Sequence, residues 1–337
     1  MTWDIVLTAD EPEALIVANV AYHLATGAQH VHVYLDRADD PAQEALKSIP
    51  GARVTCCDEK HWSDLNGVEG RPALQMRRQS LNANHALSLS NADWIFSLDA
   101  DEFLYQDRPL VDELPFVREL DCELHLPTWE RFYREGEPVQ TLFQGPLKAS
   151  TKGRHRFDGR IFGGAEKYFV QGLLGHSAGK CAVPVGADFV FGLHWSFRGQ
   201  AKRQYRSERY LSTTSRLLHF DGLTPLHWVI KLLRYAKVSP EDLGRLVSDH
   251  RREQISDLLN FADSRDSAME FHDALRAFSE LDMKRLNGFG LLDADEFDPL
   301  PEVQKLLPDF NLPGPDAFDA EILDRYPEFK PVFSAKE

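Results

Sequence analysis

Cysteine is scarce in this chain of 337 residues, with only four copies. Cys56 and Cys57 are adjacent while Cys122 and Cys181 stand alone, so there is no even disulfide framework and no CxxC metal spacing. Long hydrophobic runs are missing too. No segment approaches the ~18 uninterrupted apolar residues of a membrane-spanning helix, and the opening MTWDIVLTADEPEALI has neither a positively charged leader nor a long apolar core. These absences set the expectation of a soluble, cytoplasmic protein in a reducing compartment, without a transmembrane segment. Positive charge is also in short supply. Against 53 Asp and Glu there are 38 Lys and Arg, a net charge of -15. General nucleic-acid binding is thereby disfavoured, because it needs clustered cations to neutralise phosphates.

What is present is a large apolar fraction, 43%, in a chain long enough for one large domain or two ordinary ones. The charge is unevenly spread. From Arg198 to Arg234 eight Lys/Arg stand against two Asp/Glu, whereas from Val238 to the end eleven stand against twenty-three. The basic stretch reads either as solvated helix faces or as a surface for an acidic or lipid-linked acceptor. Within it, LHWVIKLLRYAK is either a core helix or a segment for peripheral membrane contact.

The N-terminal part alternates β-rich runs with helical patterns: WDIVLT, EPEALIVANVAYHLA, HVHVYL, PAQEALKSI, RVTCC, PALQMRRQSLNANHALSL and DWIFSL. That order predicts an α/β fold with a mostly parallel sheet covered by helices. Thr8 or Asp10 is placed to cap the first helix, with Pro12 in its first turn. From Asp121 to about Trp195 short strands mix with Gly-rich and basic loops, and from Arg198 the pattern turns mainly helical, ending in an irregular acidic tail.

Ligands of open parallel sheets bind beyond the carboxyl ends of the strands. Those ends here read TADE, LDRADD and LDADEF, so carboxylates collect where a site is expected. In an extended chain Asp99 and Asp101 face the same way across Ala100, and paired carboxylates suit Mg2+ or Mn2+ shared with a diphosphate. An acidic turn after a strand is the plainer reading of the same residues.

ADWIFSLDADEFL closely resembles the metal-binding segment of family 2-like glycosyltransferases, in particular a bacterial group with an Asp-x-Asp-Glu-Phe signature. YHLATGAQHVHVYLDRADD is similar to that group's helix and second strand, where a His-x-x-x-Gly segment precedes a strand ending in Asp. The resemblance covers roughly residues 3 to 198. It implies a GT-A fold, a Rossmann-like sheet that binds a UDP- or GDP-sugar, in residues 1–198, with residues 199–337 as a helical C-terminal region. The chain departs from the group at the end of the first strand, where Ala9-Asp10-Glu11 replaces Lys-Asn-Glu.

The resemblance also implies site roles. Asp99 and Asp101 with the late histidine His194 are the expected ligands of Mn2+ or Mg2+. Thr8, Glu11, Asp36, Arg78, Asp99 and Lys180 are the expected nucleotide-sugar contacts, Lys180 as a point charge and Asp36 as acceptor from base or ribose. Helical spacing turns one of Arg77 and Arg78 toward the sheet end, and Arg78 is preferred. Glu130 and Glu166 are candidates for the general base of an inverting transfer. Both lie beside aromatics suited to stack on a sugar face: Trp129, Phe132, Tyr133 and Tyr168. The expected reaction moves a sugar from a nucleotide diphosphate to a hydroxyl of a glycan or lipid-linked acceptor. The rivals are a degenerate, non-catalytic domain of the same fold and a HAD-like phosphohydrolase. The latter's strand-end DxD normally continues to Thr or Val where this chain has Phe103.

A second DADEF, at Asp293 to Phe297, follows two leucines behind Gly288 and Gly290 and runs straight into Asp298-Pro299. It reads as a turn, with Asp293 and Asp295 in capping or solvation. Asp101→Asn is therefore expected to abolish activity while Asp295→Asn leaves it intact. Equal losses in a transfer assay would refute the distinction between the two copies.

Overall fold

The computed structural model describes residues 1–65, 70–153, 158–199, 204–238, 243–244, 246–261 and 264–334. It divides into two compact units that interleave along the chain. The first comprises Met1–Pro127, Ala178–Leu217 and Pro299–Asn311, and the second Thr128–Ser177, Leu218–Asp298 and Leu312–Glu337. The segment Thr128–Ser177 thus belongs with the C-terminal helices, not with the residues on either side of it. The units therefore do not follow a 198/199 division, because periodicity marks short strands without saying which sheet takes them.

The first unit is built on β1 (Trp3–Ala9), α1 (Glu13–Ala25), β2 (His30–Leu35), α2 (Ala42–Lys47), β3 (Ala52–Cys56), α3 (Glu59–Asp64), α4 (Gln75–Leu89), β4 (Trp94–Leu98), β5 (Glu102–Gln106), α5 (Leu114–Glu119), β6 (Glu123–Leu126), β7 (Lys180–Pro184) and β8 (Arg209–Leu211). Its seven-stranded sheet has the order β8-β6-β7-β4-β1-β2-β3. β3, β2, β1 and β4 run parallel, and β7 enters antiparallel between β4 and β6. The expected α/β class with a parallel-rich central sheet and a mainly helical C-terminal region is what the chain adopts.

Both faces of this sheet are covered, which explains why its strands are near-continuous apolar runs. Alternate residues serve opposite cores. Trp3, Ile5 and Leu7 of β1 and Trp94, Phe96 and Leu98 of β4 join Ile16, Val17 and Val20 of α1. Val6, Ile95, Cys181 and Val183 join Ala83 and Ala86 of α4 on the other face. Helix α1 is buried from Leu15 to His23, because the helix Leu300–Leu306 packs on its outer side. Neither Thr8 nor Asp10 caps it. Pro12 is its N-cap, and the Pro12 carbonyl accepts from the N–H groups of Leu15 and Ile16.

The second unit pairs Thr128–Arg131 with Leu147–Ala149 and the latter with Leu292–Asp293, all antiparallel. Its helices start on sequence-visible signals. Thr224 caps Pro225–Leu233, while Ser264 and Ser279 form capping boxes with Ser267 and Asp282. The helix Pro225–Leu233 buries Leu226, Trp228, Val229, Ile230 and Leu232 against Asp249–Phe261 and Arg265–Arg276. It is a core helix, not a membrane-surface segment. No described helix is long and apolar enough to cross a membrane. The basic stretch divides between the units at Leu217, and its residues 200–203 lie outside the described residues.

Two buried polar side chains of α1 hold the acidic segment after β4. Asn19 Nδ2 donates to the carbonyls of Ala100 (3.0 Å) and Glu102 (2.8 Å). His23, one helical turn on, accepts the Leu104 N–H at Nε2 (3.0 Å), and its Nδ1 donates to Asn19 Oδ1 (3.0 Å). Burial drives the His23 pKa down from 6.5 to about 3, against the smaller raising effect of its bond to Asn19. A folded pKa below the unfolded one makes this contribution complete above 6.5 and progressively lost as pH falls toward 3. At about pH 5 the loss amounts to ~2 kcal/mol. Urea unfolding at about pH 7 and about pH 5 should show wild type losing that much more than His23→Gln, and equal losses would contradict the assignment.

Candidate active site

In the first unit the strand order turns back between β1 and β4, and the crevice of an open sheet lies beyond the carboxyl ends at such a point. Thr8 is the penultimate residue of β1, Asp36 follows β2 and Asp99 follows β4. A cleft there is lined by Thr8, Gln79, Ser97, Asp99, Lys180 and Leu193.

Asp99 is fixed by two donors. Gln79 Nε2 reaches Oδ1 at 2.6 Å, and Lys180 Nζ reaches Oδ2 at 2.7 Å. Lys180 also lies 3.4 Å from Glu102 Oε2, the oxygen that accepts the Asp99 N–H at 2.7 Å. Burial opposes the Lys180 charge, but Asp99 and then Glu102 outweigh it and hold the ammonium above the usual lysine range. The lysine stands on β7 directly after Gly179, whose φ of +71° is left-handed. A Cβ at Gly179 would collide with the Leu126 carbonyl.

The DADEF backbone is not extended. The Glu102 N–H donates to the Asp99 carbonyl (3.1 Å), closing a turn between β4 and β5. Asp99 and Asp101 therefore do not share one face of a strand: Asp99 keeps 29% of its side chain exposed while Asp101 is buried. His194 sits in the same unit and donates from Nδ1 to the Gly179 carbonyl (3.0 Å), which puts the ring lone pair on Nε2. Among the described residues, however, Asp99, Asp101 and His194 do not form a set of ligand atoms within 4.8 Å of one another. The predicted three-residue metal site is not assembled, because a lone histidine at the end of an apolar run carries no information on its distance from the turn. The donor chemistry still suits a divalent cation: Asp99, Asp101 and Glu102 all act on Lys180 as neighbouring carboxylates, and hard carboxylate oxygens match Mg2+ or Mn2+.

The other sequence-predicted contacts are arranged as follows. Asp36 is buried and takes a two-point contact from Arg78, Nε to Oδ1 and Nη2 to Oδ2, both 2.8 Å. Arg71 adds a third bond at 2.6 Å. Arg78 Nη1 donates to the carbonyls of Pro72 and Ala73, so this arginine holds Asp36 and the preceding loop and is not extended toward a phosphate. Arg77 is exposed, as expected of the outward member of the pair. Thr8 Oγ1 accepts from Asn82 Nδ2 (3.0 Å), and Asn82 Oδ1 is bonded to His61 Nε2 (2.9 Å). Asp10 accepts from Arg37 Nε (2.7 Å), and Glu11 is half-buried in the bend before Pro12.

Glu130 and Glu166 belong to the second unit. Glu130 is 0% exposed and accepts the N–H groups of Leu174 (2.8 Å) and Gly175 (2.7 Å), with Lys148 Nζ at 3.4 Å. Burial alone would raise its pKa, but Lys148, then Arg276 and His219, pull it down to about 2. Such a carboxylate is a fixed charge, not a proton acceptor at neutral pH. His219 Nδ1 lies 3.8 Å from Glu130 and its ring 4.8 Å from that of His176. Glu166 is exposed on the 3-10 helix Gly163–Tyr168. Phe132 and Tyr133 are buried, Phe132 against Phe278, and Tyr168 donates to Asp257, so these three aromatics are committed to packing.

Sequence reasoning did not pick out Gln79, Asn82, Asn19 or Glu102. Asn19 and His23 had a readable signal in their four-residue spacing on an otherwise apolar helix. The second DADEF ends a two-residue strand, and its Asp293 carboxylate accepts the Asp295 N–H (3.2 Å), with Asp295 exposed. That is a local turn.

No protein-family model matches the chain, and no curated protein matches it in sequence. Solved structures give distant likenesses. Staphylococcus aureus TarS 1-349 is 15% identical, with 95% of this chain and 83% of that one covered and a TM-score of 0.35. The same protein in complex with UDP-GlcNAc is 14% identical, covering 86% and 83%, with a TM-score of 0.33. The galactosyltransferase LgtC, with donor and acceptor sugar analogues, is 15% identical, covering 54% and 58%, with a TM-score of 0.27. One of these structures is a galactosyltransferase and another holds UDP-GlcNAc, but similarity this low assigns no residue role.

Replacing Glu130 by Gln strands the buried Lys148 ammonium, whose pKa burial already lowers to about 8. Urea titration should register a loss of ~3 kcal/mol near neutral pH. The loss should shrink toward about pH 9, as Lys148 sheds its proton. A variant as stable as wild type at both pH values would contradict a structural role for Glu130.

Proposed function

We propose that this chain is a GT-A-type glycosyltransferase that moves a sugar from a UDP- or GDP-sugar to an acceptor hydroxyl on a glycan or lipid-linked molecule. The observation that carries the reading is a coincidence of sequence and topology. The DADEF carboxylates emerge from β4 at the point where the strand order turns back, beside Thr8 of β1 and the Arg-bound Asp36 after β2. Composition alone does not bring three separate acidic segments to one sheet edge.

In this reading Asp36 and the Thr8 hydroxyl receive the nucleoside, with Arg78, Arg71 and Asn82 holding them in place. Asp101, together with the Asp99 turn, holds Mn2+ or Mg2+, which when bound supplies Lewis-acid stabilisation of the departing diphosphate. The bond from sugar C1 to the diphosphate oxygen breaks with its electron pair on the leaving group. The acceptor oxygen bonds to C1 and gives its proton to a carboxylate. Glu166 is the proposed base of an inverting transfer, since Glu130 is locked in its ion pair. The HAD-like reading is disfavoured by Phe103, which stands where that motif has Thr or Val. The non-catalytic reading draws on Asp10, which is paired with Arg37 in the place where the family has an asparagine.

A panel of UDP- and GDP-sugars with Mn2+ separates these readings. Turnover of at least one donor is expected, with a loss of about a hundredfold or more in Glu166→Gln. Absence of donor turnover together with absence of Mn2+-dependent nucleotide binding would overturn the enzyme reading, and full activity in Glu166→Gln would remove the base assignment.

A further inference from the structure

We infer that Lys180 is a positioning residue that serves as the resident cation of Asp99, so that the nucleoside end of the donor is held without a divalent metal. This rests on the nucleotide-sugar reading above and adds a division of labour within the acidic segment.

The geometry leaves Lys180 one way to act on a ligand. Its side chain is 1% exposed, whereas that of Asp99, 2.7 Å away, is 29% exposed and lines the cleft. Although Lys180 also borders the cleft, its side chain is almost fully covered, so its effect on a ligand passes mainly through the carboxylate it holds. Glu102 Oε2 takes a second contact at 3.4 Å and accepts the Asp99 N–H, while Gln79 Nε2 holds the other Asp99 oxygen at 2.6 Å. Both oxygens of Asp99 are thus oriented before any ligand arrives, and the charge is already balanced on the Oδ2 side. A dication on that same oxygen would face the ammonium and be repelled. Sugar hydroxyls, as neutral donors, meet no such repulsion. The backbone supports the arrangement from below: Gly179 adopts a conformation that collides for any other residue, and its carbonyl is held by His194 Nδ1.

The test is calorimetric binding of UMP and GMP, with UDP in parallel, to the full-length chain in EDTA and in Mn2+. For wild type, binding of the monophosphate it accepts should change less than about threefold between the two conditions. Lys180→Met should bind that monophosphate at least about tenfold more weakly in EDTA and recover to within about threefold of wild type in Mn2+, because the metal now fills the vacated cation position. A purely structural lysine would show no such rescue. The double variant Lys180→Met with Asp99→Asn removes this ion pair and, once circular dichroism shows it folded, should show weak binding with no Mn2+ rescue. Monophosphate binding by wild type that requires Mn2+, or EDTA binding by Lys180→Met equal to wild type, overturns the inference and leaves the glycosyltransferase reading standing. No binding of any nucleotide by wild type under either condition overturns both.

Discussion

The ion cluster of Lys180, Asp99 and Glu102 is the constraint on which the first unit's crevice depends. A buried ammonium is costly unless carboxylates surround it, and here two strands and a turn must meet to supply them. β7 brings the lysine, β4 brings Asp99, and the turn closed by the Glu102 N–H brings the second carboxylate. Removing Lys180 takes away the ammonium that lies between the Asp99 and Glu102 carboxylates. The antiparallel entry of β7 beside β4 is therefore as much an electrostatic requirement as a matter of hydrogen bonding.

Around this cluster the polar groups of neighbouring elements hold the crevice residues in place. Asn19 and His23 hold the turn from α1, Gln79 holds Asp99 from α4, and Asn82 holds Thr8. Arg78 does the same for Asp36. This is preorganisation: groups facing a ligand are fixed by packed neighbours, so little ordering remains to be done on binding.

The sequence made the fold class readable because the β-rich runs and helical patterns keep distinct periods from Trp3 to Leu98. It also marked the strand ends that border the candidate crevice, since those ends lie where the apolar runs stop. Arg78 turned inward and Arg77 outward, as helical spacing requires. What was not legible depends on distances across the fold. The extended reading of DADEF failed because nothing local announces that Glu102 closes a turn. His194 and Lys180 were placed by analogy near a metal and a phosphate, whereas their actual partners, the Gly179 carbonyl and Asp99, are set by how β7 enters the sheet. Glu130 looked like a base beside aromatics because burial and Lys148, eighteen residues away, are invisible in one dimension.

The account stands or falls on what occupies the crevice between the ends of β1 and β4. A crystal structure of the chain grown with UDP and Mn2+ decides it most directly. The account predicts the nucleoside against Thr8, Asp36 and Asp99, with the lysine still on Asp99 and the metal on the Asp101 side. Nucleotide bound elsewhere, or a crevice left empty at saturating UDP, would contradict it.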